Sequence, residues 1–451
     1  MKRLKHISVV GLGFVGLSTA VYFADQGYNV IASSNQQRKV ELIRKGVAPF
    51  FELELEPMLR KALKNRKLRV VVGRETAVLD TDITFITVGT PSLPDGSTDL
   101  TFVKATAKEI GAALKRKQSY HLIVIKSTVP PGTSKNVVKP IVEKYSEQKA
   151  GEDFGLAMSP EFLREGSSMY DIANPDRVLI GEYDERSGDI LEELYRELYK
   201  DKVPILRMSL ASAELAKYAS NAFLATKISF INQMANICER IPGVDVVEIA
   251  HAMGLDPRIG PEFLRAGAGW GGSCFPKDTK ALVAISGEMG YELKLIEEAI
   301  STNAMQAKRM VELAEEELRN LEGKKIAILG LSFKPNTDDI REAASLRIIE
   351  LLLAKGAEVA AFDPVAMDNV KDALGDRISY SNSVYECLEN ADCCMLVTEW
   401  NEFKKIQPND FTRLMRNPIL IDGRRVYDPV KFSKKLKLRA IGLGKTSEEK
   451  L

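Results

Sequence analysis

Cysteine is scarce in this sequence, with five residues among 451 and no C-x-x-C pair. The five are Cys238, Cys274, Cys387, Cys393 and Cys394. This spacing argues against a zinc site and against a disulfide framework, so we expect no metal centre. The absence of a disulfide framework is typical of a reducing compartment, and we therefore expect the protein in the cytoplasm.

An excess of charge of one sign is also missing. The chain has 63 lysines and arginines against 62 aspartates and glutamates, a net charge of +1, and no block of five or six like charges. A nucleic-acid or anionic-membrane partner is therefore not expected. No run of about 18 apolar residues predicts a membrane span. The segment Met1–Val10 lacks the apolar region of a signal peptide.

The length and the alternation of strand and helix patterns predict several domains. A chain of 451 residues is long enough for two or three domains of roughly 100–200 residues each. Strand and helix patterns alternate in both end regions, on either side of a long helical pattern. We predict an α/β protein with two doubly wound, Rossmann-like domains joined by a central long-helix region. The predicted domains comprise residues 1–202, 203–318 and 319–451.

A glycine pattern near the amino terminus predicts a dinucleotide site. A strand, a G-x-G-x-x-G turn, a helix and a second strand are predicted at His6–Val10, Gly11–Gly16, Leu17–Gln26 and Tyr28–Ala32. In this context Gly11 permits the tight turn, Gly13 lets a pyrophosphate approach the backbone, and Gly16 lets the helix pack on the strand. The phosphates would then lie at the helix amino terminus.

The end of the second strand departs from the usual NAD pattern. An acidic residue is expected there to bond the ribose hydroxyls, but the chain has Ser33 and Ser34, followed by Arg38 and Lys39, and no carboxylate before Glu41. Small hydroxyls and two cations could accommodate a 2′-phosphate. The alternative is a site that has lost one hydrogen bond and still prefers NAD. We expect NADP use or dual specificity.

Two further strands end in residues placed for a ligand. Thr81–Val88 leads into Gly89-Thr90-Pro91, and His121–Lys126 leads into Ser127-Thr128. Ligands bind beyond the carboxyl ends of strands in such sheets, so these residues are expected to contact cofactor or substrate. Glu161 and Glu165 follow another strand, and they would share one face if they lay on a helical turn. Solvated carboxylates are the alternative.

The central helical pattern, Ser209–Arg240, is apolar almost all round, which predicts a buried helix. Lys217 and Asn221 lie four residues apart and hence on one face of it. A buried lysine is costly unless it is paired or used, so we favour a functional role over a lysine that reaches for solvent.

The glycine-rich segment Gly267–Asp278 is the most unusual stretch of the chain. Four glycines in six positions suit a loop whose backbone approaches something closely. Cys274 follows them, with Lys277 and Asp278 close behind, and a thiol beside a cation favours a nucleophilic thiolate. The alternative is a tight turn around an inert cysteine.

The C-terminal third predicts a second nucleotide-binding unit. A helix is predicted over Tyr291–Asn320, and a strand and glycine turn over Lys325–Lys334, without the full G-x-G-x-x-G. Lys334 and Arg341 could supply cations for a phosphate.

Together these motifs resemble the UDP-glucose/GDP-mannose dehydrogenase family over essentially the whole chain. They are Gly11–Gly16, Val88–Pro91, Lys126–Pro130, Ser159–Leu163, Lys217–Asn221, Gly271–Asp278 and Phe333–Glu342. The resemblance implies oxidation of a nucleotide sugar's C6 alcohol to a carboxylate in two NAD- or NADP-dependent hydride transfers. Cys274 would hold the intermediate as a thiohemiacetal and then as a thioester. The glycines before it would admit the sugar.

The resemblance also implies roles for individual residues. The implied catalytic residues are Cys274, Lys217, Asn221, Asp278, Glu161 and Thr128. The implied cofactor contacts are Gly11, Gly13, Phe14, Val15, Gly16, Ser34, Arg38, Gly89, Thr90, Pro91, Ser127, Thr128, Glu165 and Arg341. The implied contacts to the nucleotide sugar are Glu161, Phe162, Leu163, Lys217, Asn221, Arg258, Gly271, Phe275, Phe333, Lys334 and Arg424.

Within the family, Ser273 and Lys277 fit the branch that oxidises UDP-glucose better than the branch for UDP-N-acetylmannosamine, where His and Val would be expected. A dehydrogenase for GDP-mannose or UDP-N-acetylmannosamine is the alternative. A non-catalytic nucleotide-binding regulator would not need Cys274, Lys217 and Asp278 together. The resemblance further implies a homodimer built on the central helix, with Arg258 reaching the neighbouring subunit's site.

Overall fold

The computed structural model describes residues 6–445, so the first five residues of the segment interpreted above lie outside it. The chain divides into two compact units, one ending at Ser220 and one beginning at Asn221. Among residues 6–445, no helix is both long enough and apolar enough to cross a membrane.

The first unit alternates strands and helices. In chain order these are β1 (His6–Val10), α1 (Phe14–Asp25), β2 (Asn29–Ser34), α2 (Gln37–Arg44), α3 (Leu55–Lys64), β3 (Leu68–Val72), α4 (Glu75–Leu79), β4 (Ile83–Ile86), α5 (Thr101–Leu114), β5 (His121–Ile125), a π-helical turn (Ser134–Val138), α6 (Lys139–Ser146), β6 (Phe154–Met158), α7 (Ser168–Ala173), β7 (Val178–Glu182), α8 (Glu185–Tyr199) and β8 (Ile205–Ser209).

The eight strands form one sheet in the order β3-β2-β1-β4-β5-β6-β7-β8. All neighbours pair in parallel except β6 and β7, which are antiparallel. The continuous apolar runs of β4 and β5 are buried throughout, as expected for strands covered by helices on both faces. Strand order reverses between β1 and β4, and the crevice at such a point, beyond the carboxyl ends, is where α/β sheets bind ligands.

The long helix α9 (Leu210–Cys238) runs through the boundary between the units. Its 29 residues contain no proline or glycine, which accounts for its length. Its burial differs from the prediction, because a stripe of apolar side chains at seven-residue spacing, Phe223, Phe230 and Ile237, is exposed. The sequence pattern could not separate a helix buried within one chain from a helix with one face left for a partner.

The second unit continues with helices and then a second set of alternating elements. These are α10 (Val246–Gly254), α11 (Phe275–Glu288), α12 (Lys294–Leu318), β9 (Lys325–Leu329), α13 (Ala344–Ala354), β10 (Glu358–Phe362), α14 (Met367–Leu374), a 3₁₀ turn (Gly375–Arg377), β11 (Ser379–Tyr380), α15 (Val384–Leu388), β12 (Cys393–Leu396), a 3₁₀ turn (Phe403–Lys405), α16 (Pro408–Leu414), β13 (Ile419–Asp422), α17 (Pro429–Ser433) and β14 (Lys437–Ala440).

Its six strands form a parallel sheet in the order β11-β10-β9-β12-β13-β14. Counted from β9, this is the 3-2-1-4-5-6 order of a Rossmann fold. The predicted α/β class with two Rossmann-like sheets and a long helix between them is confirmed.

Candidate active site

The turn between β1 and α1 has the geometry that a dinucleotide needs. Gly11 has a φ of +103°, and a Cβ there would lie 2.8 Å from the backbone of Thr87. A Cβ on Gly16 would lie 1.8 Å from the carbonyl oxygen of Gly11, so only glycine lets α1 pack this closely. At Gly13, in contrast, no described atom lies within 4 Å of the Cβ position. The space beside Gly13 is thus open, as the approach of a pyrophosphate requires.

The amino terminus of α1 is suited to bind phosphate. The helix begins at Phe14, and among the described residues no side chain caps its first N–H groups. Its first turn carries no acidic residue. Free N–H groups and the helix dipole therefore favour an anion next to Gly13, Phe14 and Val15. The residues present fit a dinucleotide.

The end of β2 has hydroxyl and cationic groups where an acidic residue is usual. The Ser34 Oγ accepts a hydrogen bond from the Gln36 N–H at 3.2 Å, and Arg38, the second residue of α2, is exposed. Arg74 also lies near this strand end, because the N–H of its neighbour Gly73 donates to the Ser34 carbonyl at 3.2 Å. Arg74 forms an ion pair with Glu109.

The loops after β4 and β5 are tied to each other at the same edge of the sheet. Thr90 Oγ1 donates to the Thr128 carbonyl at 2.9 Å, and Ser127 Oγ donates to the Val88 carbonyl at 2.7 Å. Because β1, β4 and β5 are parallel neighbours, the structure brings together nearly all the predicted cofactor residues of this unit. They are Gly11, Gly13, Phe14, Val15, Gly16, Gly89, Thr90, Pro91, Ser127 and Thr128.

Glu161 and Lys217 form a buried ion pair. Glu161 is 7% exposed and Lys217 is 2% exposed, and the Lys217 Nζ lies 3.3 Å from the Glu161 Oε1. The other carboxylate oxygen of Glu161 accepts a hydrogen bond from the Leu163 N–H at 2.5 Å. The Lys217 Nζ also lies 5.1 Å from the centroid of the Phe162 ring. Lys217 is therefore buried, as its apolar helix predicted, and it is paired; its functional role stays a prediction.

The idea of a shared helical face for Glu161 and Glu165 is wrong. Residues 159–164 form an irregular loop that contains the buried Glu161, and the partly buried Glu165 lies in the turn that follows. Ser159 precedes a proline, which disfavours helical backbone. Glu52 fixes the far end of the loop, because its carboxylate accepts hydrogen bonds from the N–H groups of Gly166 and Ser168 at 2.7 and 2.8 Å.

The glycine-rich loop of the second unit is packed against other loops of that unit. A Cβ on Gly267 would lie 2.6 Å from the Gly423 carbonyl oxygen, and one on Gly271 would lie 2.3 Å from the Glu342 carbonyl oxygen. A Cβ on Gly272 would lie 2.7 Å from the Phe333 ring. The space that glycine leaves at these three positions is therefore filled by protein rather than left for a ligand. This packing explains why glycine stands at these positions, and contact of the loop backbone with the sugar stays a prediction.

Polar side chains that sequence reasoning missed hold this loop in place. Asn303 accepts from the Trp270 N–H at 2.7 Å and donates to the Trp270 carbonyl at 2.9 Å. Asn232 accepts from the Gly267 N–H at 2.8 Å, and Gln306 donates to the Gly267 carbonyl at 3.0 Å. The sequence signal that could have revealed these residues is the presence of amide side chains within the long helices α9 and α12. A buried amide there needs a specific hydrogen-bond partner.

Cys274 lies directly before α11, with Asp278 one turn later on that helix. Asp278 is 1% exposed and accepts a hydrogen bond from the Asn221 Nδ2 at 2.6 Å. Lys277 forms an ion pair with Asp278. Lys277 is thus the partner of Asp278, rather than the cation beside the Cys274 thiolate that the sequence first suggested.

Cys274 differs from the other cysteines in its exposure. All five cysteines are described, and Cys274 is the one that is not buried. Burial raises the pKa of the Cys387 thiol to about 12, and it also raises the pKa of Cys393 and of Cys394. A buried thiol is inert, so Cys274 is the candidate nucleophile.

The remaining candidates in the second unit fall into two groups. Phe333 and Arg424 contact the glycine loop, the latter by donating from Nη1 to the Gly269 carbonyl at 3.1 Å. Lys334 Nζ lies 5.6 Å from the Phe333 ring centroid. The Phe275 ring packs against Trp270, with 6.3 Å between the two ring centroids. The second group is Arg258 and Arg341, each of which binds an aspartate two residues earlier in the chain.

Those two arginines are Arg341 and Arg258. Arg341 donates from Nη2 to Asp339 at 2.7 Å, and Arg258 donates from Nη2 to Asp256 at 2.6 Å. The Arg258 side chain is 88% exposed. Among residues 6–445, Arg258 makes its hydrogen bonds and its ion pair with Asp256 and none with the glycine-rich loop.

A dinucleotide turn on one Rossmann-like sheet, and a partly exposed cysteine one helical turn before a buried aspartate in a unit with a second such sheet, indicate a nucleotide-dependent enzyme. Three models of the UDP-glucose/GDP-mannose dehydrogenase family match the chain. They are its NAD binding domain over residues 5–199, its central domain over 211–305 and its UDP binding domain over 327–429. The chain belongs to the UDP-glucose/GDP-mannose dehydrogenase family, and it is an oxidoreductase with an NAD-binding domain.

Individual relatives agree with this assignment. The UDP-glucose 6-dehydrogenase TuaD of Bacillus subtilis is 43% identical over 94% of this chain and 90% of its own length. The UDP-glucose 6-dehydrogenase AglM of Haloferax volcanii is 41% identical over 93% of this chain and 96% of its own. The structure of a UDP-glucose dehydrogenase from Pyrobaculum islandicum has a TM-score of 0.91 and 39% identity, with 98% of both chains covered.

Proposed function

We propose that the protein oxidises UDP-glucose to UDP-glucuronate. One observation carries the proposal, namely the partly exposed Cys274 directly before α11, with the buried Asp278 one turn later on that helix. An alcohol dehydrogenase that stops at the aldehyde has no need of a nucleophile. A thiol that captures the aldehyde lets the oxidation continue to the acid.

The chemistry needs two oxidations and one hydrolysis. A bound nicotinamide dinucleotide supplies the hydride acceptor in each oxidation. The Cys274 sulfur adds to the C6 aldehyde and forms a thiohemiacetal, which becomes a thioester when the second hydride leaves. Water then releases the carboxylate and restores the thiol.

The buried polar groups have distinct roles in this scheme. Lys217 and Asn221 stabilise the negative charge that develops on the C6 oxygen. Glu161 acts as base in thioester hydrolysis, and it forms an ion pair with Lys217. Asp278, held by Asn221, orients the water, and Thr128 serves the same step.

We assign contacts with the nucleotide sugar to each unit separately, to the loop after β6 in the first and to the loops around the glycine-rich segment in the second. Lys334 and Arg424 provide cations for its phosphates. Phe162, Leu163, Gly271, Phe275 and Phe333 line the remainder, while Arg258 acts on the neighbouring subunit's site. Glu165 and Arg341 lie near the cofactor in this proposal.

We further propose that the enzyme accepts NADP as well as NAD. The support is that β2 ends in Ser34 where an acidic residue is usual, with the exposed Arg38 following in α2. An acidic residue there would repel a 2′-phosphate, whereas hydroxyl and guanidinium groups bind one.

A homodimer through α9 is part of the proposal. Its support is the exposed apolar stripe of Phe223, Phe230 and Ile237, since isolated chains rarely leave such a stripe in water. We expect the dimer in the cytoplasm.

The activity is tested with a panel of nucleotide sugars, by counting reduced dinucleotide per sugar from its absorbance. UDP-glucose should be the preferred substrate and should yield two reduced dinucleotides per molecule. A preference for GDP-mannose or UDP-N-acetylmannosamine would favour the alternative activity. A yield of one would leave an ordinary alcohol dehydrogenase.

The role of the thiol is tested by Cys274→Ala, with Ser273→Ala as the matched control. The Cys274 variant should form no acid and should bind dinucleotide as the wild type does. The Ser273 variant should keep acid formation. Unchanged acid formation in the Cys274 variant would refute the covalent mechanism.

A further inference from the structure

Arg177, which the catalytic scheme does not use, contacts the loop that carries Glu161. It lies directly before β7, and its guanidinium carbon is 4.1 Å from the centroid of the Phe162 ring. Phe162 follows Glu161 in the chain. A guanidinium over an aromatic face is attracted by the negative charge of the ring face. Arg177 therefore fixes the Phe162 ring.

The same ring is in contact with the buried lysine. The Lys217 Nζ lies 5.1 Å from the Phe162 centroid and 3.3 Å from the Glu161 Oε1. The ring thus borders the space available to the ammonium group, and its position limits where Lys217 can meet Glu161. Arg177 and Lys217 thus both lie near the same aromatic ring.

Arg177 also reaches the helix that carries Lys217. Its Nη2 lies 3.5 Å from the Ser220 Oγ, a long hydrogen bond, and the Ser220 hydroxyl in turn donates to the Ala216 carbonyl at 2.8 Å. One guanidinium therefore links the start of β7, the loop after β6 and the helix α9. All of these residues belong to the first unit.

We propose that Arg177 is a positioning residue for the oxidation. It acts through the Phe162 ring to hold the Lys217 ammonium group beside the Glu161 carboxylate. The proposal rests on the proposed function of Lys217 and Glu161. An arginine is suited to this role because its planar guanidinium can lie over a ring and donate a hydrogen bond from its edge at the same time. A lysine can supply the charge but not both contacts.

The test compares Arg177→Gln, Arg177→Lys, Phe162→Leu and the double variant Arg177→Gln/Phe162→Leu in the full-length enzyme. From the size of a cation–π contact, we expect the Gln variant to lose about three- to tenfold in kcat. KM for UDP-glucose should change less. The Lys variant should recover part of the loss.

The kcat of the double variant distinguishes action through the Phe162 ring from a purely structural role of Arg177. If Arg177 acts through the ring, then Arg177→Gln should cost little further kcat once Phe162 is Leu. A control is offered by Arg186, whose guanidinium lies 3.5 Å from the Tyr120 ring centroid, a cation–π pair in which neither residue is a candidate site residue. Arg186→Gln should leave kcat unchanged.

The outcomes separate this inference from the proposed function. Two reduced dinucleotides per UDP-glucose are measured first on the wild type, and failure there refutes the proposed function. Equal kcat for wild type and Arg177→Gln on the sugar that is oxidised would overturn the role of Arg177 alone. So would multiplicative losses in the double variant, because they would show that Arg177 and Phe162 act independently.

Discussion

Gly13→Ala separates the binding of the dinucleotide from the stability of the turn that binds it. Gly13 has φ −78° and ψ −168°, which alanine adopts without strain, and no described atom lies within 4 Å of the added Cβ. The variant should therefore fold as the wild type does. Its methyl group would nevertheless occupy the open space beside the amino terminus of α1.

The expected change in stability is small because two effects oppose each other. Alanine restricts the unfolded chain, which stabilises by about 0.4–1 kcal/mol. It is a poorer residue than glycine before a helix, and this costs a similar amount, roughly 0.5 kcal/mol. The midpoint of thermal unfolding should stay within about 2 °C of the wild-type value.

The expected change in cofactor affinity is large. Hydrogen bonds from N–H groups to a charged phosphate contribute about 1.5–3 kcal/mol each, so the loss of one corresponds to roughly a 10- to 150-fold weaker affinity. KM for the dinucleotide, measured at saturating UDP-glucose, should rise by that factor. KM for UDP-glucose should change much less.

Gly287→Ala is the matched control, since this exposed glycine in α11 also has open space at its Cβ position. It should leave both KM values unchanged. An unaltered KM for the dinucleotide in the Gly13 variant would refute the reasoning, because the pyrophosphate would then not pass over this turn.

Three further predictions follow from other parts of the molecule. Ser34→Asp should lower the activity with NADP at least tenfold relative to NAD in initial-rate assays, because the new carboxylate repels a 2′-phosphate; an unchanged ratio would remove Ser34 from cofactor selection. Phe223→Glu, which places a charge on a side chain that is 65% exposed on α9, should convert the proposed dimer to a monomer in light scattering, whereas Val430→Glu should not. Burial holds the pKa of His121 down to about 3, so the unfolded chain binds a proton that the folded chain excludes as pH falls below 6.5. The free energy of unfolding should fall by about 2 kcal/mol from pH 7 to pH 5 through this group, and a His121→Gln variant that unfolds with the same pH dependence would contradict this.

Much of the fold could be predicted from local patterns. The first strand, the glycine turn and α1 each have a sequence signal that arises from residues close in the chain. The apolar runs of β4, β5, β9 and β12 identify strands buried on both faces. The strand β3 was not predicted, because its burial alternates and its sequence, Leu-Arg-Val-Val-Val, has a charge at its second position.

The candidate site was less predictable where distant residues decide the backbone. Glu161 and Glu165 fit a helical spacing, but a proline and the buried carboxylate of Glu52, more than a hundred residues earlier, impose a loop. The glycines of the Cys274 loop indicated a close approach, and the sequence could not reveal that the approaching group is Phe333 or Glu342 of the same unit. Arg177 has no motif of its own, and its contacts with Phe162 and Ser220 appear only in three dimensions.

The central claim is covalent chemistry at Cys274, and the most direct test is the mass of the enzyme during turnover. Glu161→Gln should slow thioester hydrolysis without removing the thiol, so the intermediate should accumulate. After mixing with UDP-glucose and dinucleotide, mass spectrometry should find the UDP-glucuronyl group on the peptide that contains Cys274. That adduct should be absent from Cys274→Ala/Glu161→Gln. Acid formation by the wild type, together with no adduct on Cys274 in the Glu161 variant, would contradict the account.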